Sequence, residues 1–159
     1  MTDPHDVPDL PDPHDLGRFV AAQDAGGTYQ RAVAELRAGY KSGHWMWFVF
    51  PQVAGLGQSP TSRRYAIRSL AEARAYLRHP VLGPRLVEAA EILAGTAGRT
   101  AEQIFGDIDA TKLRSSMTLF RLADPAQTAF GQIIDQYFDG LADQLTERIV
   151  AAAGDGDHG

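Results

Sequence analysis

From His44 to Phe50 the chain reads His-Trp-Met-Trp-Phe-Val-Phe and then meets Pro51, and nothing else in the sequence constrains the fold as tightly. Both tryptophans lie in this run, with aromatics at 45, 47, 48 and 50. On a helix those positions cover every side, so a helix here has to be buried all round. The same composition suits a short buried strand, and periodicity cannot separate the two over so few residues. Either way the segment is expected at the centre of the core, because large aromatics dominate core energetics.

Around it the dominant period is 3.6. Thr28 is placed to cap a helix whose stripe is Tyr29, Val33, Leu36 and Tyr40, with Gly39 and Gly43 bracketing its end. Ser69 with Glu72, and Thr100 with Gln103, have the spacing of capping boxes. Pro80 and Pro84 open a helix carrying Leu82, Leu86, Ala89, Ala90 and Leu93. Asp109 is read as the cap of a helix with Leu113, Met117 and Phe120 on its apolar face. Asp124-Pro125 starts another, with Phe130, Ile133 and Ile134, and a last helix runs from about Asp143 to Ala152. No Asn-Gly turn and no string of alternating strands occurs. The expectation is an all-α protein: one compact multihelical domain over 12–152, with a buried aromatic central segment. Asp12 would cap its first helix with Pro13 at the first helical position. Residues 1–11, acidic and broken by prolines, and 153–159 are expected to be flexible tails. At 159 residues, folding hides about 68–70% of the unfolded surface, so no staple is required.

Cysteine is absent, which excludes disulfides, thiolate metal sites and a cysteine nucleophile. No apolar run is long enough for a membrane span, and the N-terminus carries Asp and Pro rather than a basic then apolar stretch. A cytoplasmic protein without a membrane partner is expected. Net charge is −5, but the two tails hold six aspartates and no Lys or Arg, leaving 15 basic against 14 acidic residues in the body. Residues 59–85 contain six arginines and one acid, enough to steer an anion. A nucleic-acid partner is not expected, because that footprint needs a strongly basic domain.

Lys41 to His44 and Pro51 to Arg64 flank the aromatic run, and a second polar constellation lies further along the chain. Gln52 to Arg64 carries Gly55, Gly57, Ser59, Ser62 and Arg63, a tight backbone with hydroxyls and charge at the start of a helix. Such a turn either caps a helix or cradles an anion; it is no Walker loop, since no Gly-Lys-Ser/Thr is present. The second is Lys112-Leu113-Arg114-Ser115-Ser116-Met117, which puts Lys112, Ser115 and Ser116 on one helix face. Consecutive serines are poor helix-interior residues, so they either pack helices or meet a ligand. The only two lysines, Lys41 and Lys112, sit in or beside these unusual segments. Of the five histidines, His44 is the candidate acid or base, as an imidazole buried beside the aromatic run. Neither a metal nor a cofactor is implied.

The runs 12–23 (DPHDLGRFVAAQ), 35–67, 79–86 (HPVLGPRL) and 104–120 (IFGDIDATKLRSSMTLF) closely resemble the bacterial family filed as domain of unknown function 1810, over about residues 12–150. The resemblance implies a compact, mostly helical cytoplasmic protein and no settled activity. Some members carry a calpastatin label; inhibitor segments of that kind are disordered until bound, whereas this chain has a core-forming composition.

Two functions are open to such a chain. In the first, the two polar stretches converge on a pocket for a small anionic, nucleotide- or phosphate-like molecule. Lys41, Gln52, Ser59, Ser62, Arg63, Lys112, Ser115 and Ser116 would supply charge and donors, Trp45 or Trp47 the apolar wall, and His44 any hydrolase or glycosidase catalysis. In the second, the motifs serve packing in a non-catalytic, partner-binding helical module.

Overall fold

Asp12 illustrates how local chemistry sets the element boundaries. Its carboxylate accepts the N–H groups of Leu16 at 2.7 Å and Gly17 at 2.9 Å, so helix α1 (Gly17–Asp24) begins five residues beyond it and not at Pro13. A computed structural model describes residues 11–96 and 98–156; the tail readings for 1–10 and 157–159 lie outside them. A 3-10 turn (Ala25–Gly27) leads into α2 (Thr28–Ala38), where left-handed Gly27 takes the cap position expected of Thr28. The chain continues through α3 (Met46–Val49), α4 (Pro60–Arg64), α5 (Leu70–Arg78) and α6 (Leu82–Ala94). Then come α7 (Ala101–Phe105), α8 (Asp107–Ala123), α9 (Thr128–Phe138) and α10 (Gln144–Gly156).

Several sequence expectations move at the ends. Thr100 and Gln103 form the full capping box, but Ser69 and Glu72 form half of one. Ser69 Oγ accepts the Glu72 N–H at 3.0 Å, while the Glu72 side chain turns to Arg18. Helix α8 starts two residues before Asp109, which frees that carboxylate from capping. Gln127 rather than Asp124 caps α9, and α10 runs past Ala152 to Gly156.

The ambiguous aromatic segment is one turn of helix, α3. Phe50 leaves the helical region at φ −124°, ψ 74°, and Pro51 has no N–H with which to continue. The chain then pairs briefly: Ile67 N–H donates to Gln52 O and Ala54 N–H to Ile67 O, both at 2.8 Å. Among the described residues this isolated bridge is the only strand-like pairing. Trp45, Met46, Val49 and Phe50 are buried, whereas Trp47 and Phe48 are half-buried. Helix α8 is the most interior element: every residue from Ser115 to Phe120 is buried, and α5, α7, α9 and α10 pack around it. That explains Ser115-Ser116-Met117-Thr118, since small side chains let four neighbours approach one helix. No described helix is long and apolar enough to cross a membrane.

Candidate functional site

Glu35, near the end of α2, organises the loop that carries Lys41 and His44. Its Oε1 accepts the N–H groups of Ser42 (2.6 Å) and Gly43 (2.8 Å) and the Trp45 indole N–H (3.1 Å). Burial alone would raise its pKa. The Gly43 and Ser42 N–H groups, the indole and the Lys41 charge outweigh that, and hold the carboxyl below its ordinary value. Gly43 is required by closeness: a Cβ there would lie 2.8 Å from Trp45 Cδ1. Lys41 is fixed at both ends, its N–H donating to Ile104 O at 2.8 Å and its Nζ to Gly43 O at 2.5 Å.

The two lysines meet on Asp109. Lys41 Nζ lies 2.8 Å from Asp109 Oδ2 and Lys112 Nζ 3.3 Å from Oδ1. Each ammonium also faces an indole, Lys41 at 5.0 Å from the Trp45 ring and Lys112 at 4.5 Å from that of Trp47. This triad joins the α2–α3 loop, α3 and α8 through charge in a largely desolvated setting, where such contacts are stronger than in water.

Three depressions adjoin one another, and Trp47 lines two of them. The narrowest, about 130 Å³, is lined by Trp47, Gln52, Ser62, Arg63, Tyr65 and Arg68 among others. A second, about 400 Å³, shares Gln52, Gly57 and Ser62 with it and adds Leu56, Lys112, Ser115 and Leu145. The third, about 490 Å³, has Lys41, His44, Trp47, Phe105 and Asp109 on its walls, and Ile108 lines both it and the second. Gly57 makes the junction feasible, since a Cβ there would sit 2.5 Å from Ser62 Cβ. A larger depression, about 910 Å³, lies between α1 and α5. Its lining is mostly proline and aliphatic, and His79 Nδ1 there is occupied by the Val81 and Leu82 N–H groups. Convergent polar groups distinguish a binding site from a surface hollow, and they gather around Trp47.

Lys41, His44, Trp47, Gln52, Ser62, Arg63, Lys112 and Ser115 therefore line one composite groove. Three expected members do not line it. Trp45 is 1% exposed and works as core and as donor to Glu35. Ser59 caps α4, accepting the Ser62 N–H at 3.1 Å. Ser116 is fully buried, its Oγ without a hydrogen-bond partner. His44 lines the groove but is exposed rather than buried, because the α3 turn begins only at Met46. Sequence reasoning missed Asp109, Glu35, Arg68 and Asp143. Asp109 was legible as the counter-charge the only two lysines need, yet its position near a helix start reads as a cap. Asp143 Oδ2 accepts from Ser115 Oγ and the Thr146 N–H and hydroxyl, fixing α10 against α8.

Charge in the groove is uneven. Asp109 is shared by both lysines, whereas Arg63 and Arg68 make no ion pair among the described residues. Among the described residues the Arg63 guanidinium reaches Gln58 Oε1, at 3.3 Å. No described cluster of three or more His, Asp or Glu side chains could hold a metal ion.

Fold and groove together define a small multihelical protein with a Trp-walled, arginine-flanked cleft. The chain belongs to the family described as Protein of unknown function (DUF1810), which matches residues 13–150. It is similar to the conserved hypothetical protein Rv1873 from Mycobacterium tuberculosis, whose crystal structure was determined at 1.38 Å. The two share 51% identity and a TM-score of 0.85 over 88% of this chain and 99% of that one. No curated protein matches the chain.

Proposed function

We propose that the groove binds a small anionic ligand with a planar ring, of the nucleoside monophosphate type. The carrying observation is that Arg63 and Arg68, whose guanidinium groups make no ion pair among the described residues, line the same small cavity as half-buried Trp47. A cavity of about 130 Å³ suits a phosphate-sized group, for which the guanidinium forks and the Ser62 hydroxyl are matched donors. The wider cavity on the Lys41–His44 side of Trp47 suits the ring. A base stacked on an aromatic side chain contributes about 1–3 kcal/mol.

Titration of nucleoside monophosphates, sugar phosphates and inorganic phosphate, read by tryptophan fluorescence and thermal shift, tests this. A nucleotide is expected to quench Trp47 and raise the melting temperature. Trp47→Leu should weaken binding about 5- to 150-fold, the stacking range above, and Arg63→Ala should flatten the salt dependence. Silence of every nucleotide and phosphate at millimolar concentration overturns the proposal. Hydrolase or glycosidase turnover is a separate step that would rest on His44. Its exposed side chain makes no hydrogen bond among the described residues, so the substrate would have to orient it. Loss of turnover in His44→Ala with binding retained is the outcome that would assign it.

A further inference from the structure

The second depression differs from its neighbours in what its outer wall is made of. Ile108 is 75% exposed and Leu145 51% exposed, and both line it together with Leu56. Only two other large apolar side chains among the described residues are as open to water, Tyr40 and Leu141. Isolated exposed aliphatics need no explanation, but two facing one cavity beside a third make an apolar slot. The rest of its lining is polar or glycine, with Asp143 Oδ2 taken up by Ser115 and Thr146. Gln52, Gly57 and Ser62 belong both to it and to the arginine-lined cavity, and Lys112 stands on its wall. A molecule filling both would therefore be charged at one end and aliphatic at the other.

We infer that the ligand is an amphipathic phosphate ester: a nucleoside monophosphate whose phosphate carries a linear aliphatic chain, with that chain in the Leu56–Ile108–Leu145 slot. The inference rests on the reading of the groove as a nucleotide site and deepens it. In it, the phosphate sits by Arg63, Arg68 and Ser62, and the ring lies against Trp47. The chain leaves past Gln52 and Ser62, which line both depressions, and Lys112 stands on the slot wall. A helical partner lying in the slot would need no anion beside it, and Arg63 and Arg68 favour the small amphipathic ligand.

The test is calorimetric titration of the intact protein with adenosine 5′-monophosphate and its methyl, butyl and hexyl phosphate esters. The methyl ester controls for the lost charge. Each added methylene is expected to tighten binding about two- to fourfold, the fold equivalent of a partly to fully buried CH₂. Leu145→Ser, at an exposed position that lines the slot and neither of the other two depressions, should reduce that increment while the methyl ester binds unchanged. Equal affinity for methyl and hexyl esters overturns the chain slot and leaves the nucleotide site standing. An increment of unchanged size in Leu145→Ser also overturns the slot, since the chain is then held elsewhere. Absence of binding by both the parent nucleotide and the methyl ester overturns the site itself, and the slot with it.

Discussion

Arg18→Met should be strongly destabilising although it leaves the buried side-chain volume almost intact. Arg18 and Glu72 form an ion pair at 2.8 Å whose side chains are 7% and 2% exposed. The same guanidinium donates to four backbone carbonyls: His14 and Asp15 at 2.7 Å, Arg64 and Ala66 at 2.8 Å. Methionine keeps the aliphatic stem and removes every donor. Glu72 is then a buried carboxylate without its cation, left with the Arg68 N–H at 3.3 Å. Breaking a buried pair from one side costs about 3–5 kcal/mol. For a chain of this size that lowers the melting temperature by about 6–20 °C, at about 2–4 °C per kcal/mol. Because Arg64 O and Ala66 O also lose their anchor, the segment carrying Arg63 and Arg68 should loosen, and nucleotide affinity should fall with stability. Chemical denaturation of Arg18→Met, Glu72→Gln and the double variant, monitored by tryptophan fluorescence, measures the coupling. The double variant should be more stable than Arg18→Met, since neutralising Glu72 removes the stranded charge. A loss below about 1 kcal/mol for Arg18→Met, or a coupling below about 0.5 kcal/mol, refutes the assignment of this pair as the tie between α1 and the 64–66 segment.

Ser116→Ala should be neutral or stabilising by up to about 1 kcal/mol, because it removes a buried hydroxyl that has no partner; a marked loss in equilibrium denaturation would show that the hydroxyl is satisfied. His79 should make stability pH-dependent. Burial pushes its imidazole below the ordinary value, Asp12 opposes and Arg85 adds to the shift, and Nδ1 is an acceptor for two N–H groups. With the folded pKa depressed, the unfolded state takes up the proton first, so the contribution is present above about pH 6.5, the unperturbed imidazole value, and is lost as pH falls through it. Urea midpoints at pH 7.5 and 5.5 should differ more for the natural protein than for His79→Ala; equal differences refute the role.

The helical class was readable because burial along each helix repeats at 3.6 residues, and stripes such as Leu82, Leu86, Ala89, Ala90 and Leu93 are all buried as the period requires. The weight of the aromatic run was readable too, since indoles and phenyl rings have few places to go but inward. Its conformation was not: α3 is a single turn, and its extent is settled by its C-terminal neighbours, Pro51 and the pairing of 52–54 with Ile67. Helix starts failed where a side chain found a better partner at a distance. Glu72 had the spacing of a capping box and went to Arg18; Asp109 had the look of a cap and went to two lysines.

The sequence by itself determined the all-helical architecture and the residue types of the site, because solvent exclusion and helix geometry act on every short stretch alike. Only the tertiary structure decided which of those residues share a cavity. Lys41 and Lys112 meet because α8 packs beside the α2–α3 loop, Trp47 opens to the groove while Trp45 closes into the core, and Ser116 faces inward where Ser115 faces Asp143. Neighbouring residues thus part company according to which helix lies against them, a long-range packing fact that no local pattern encodes.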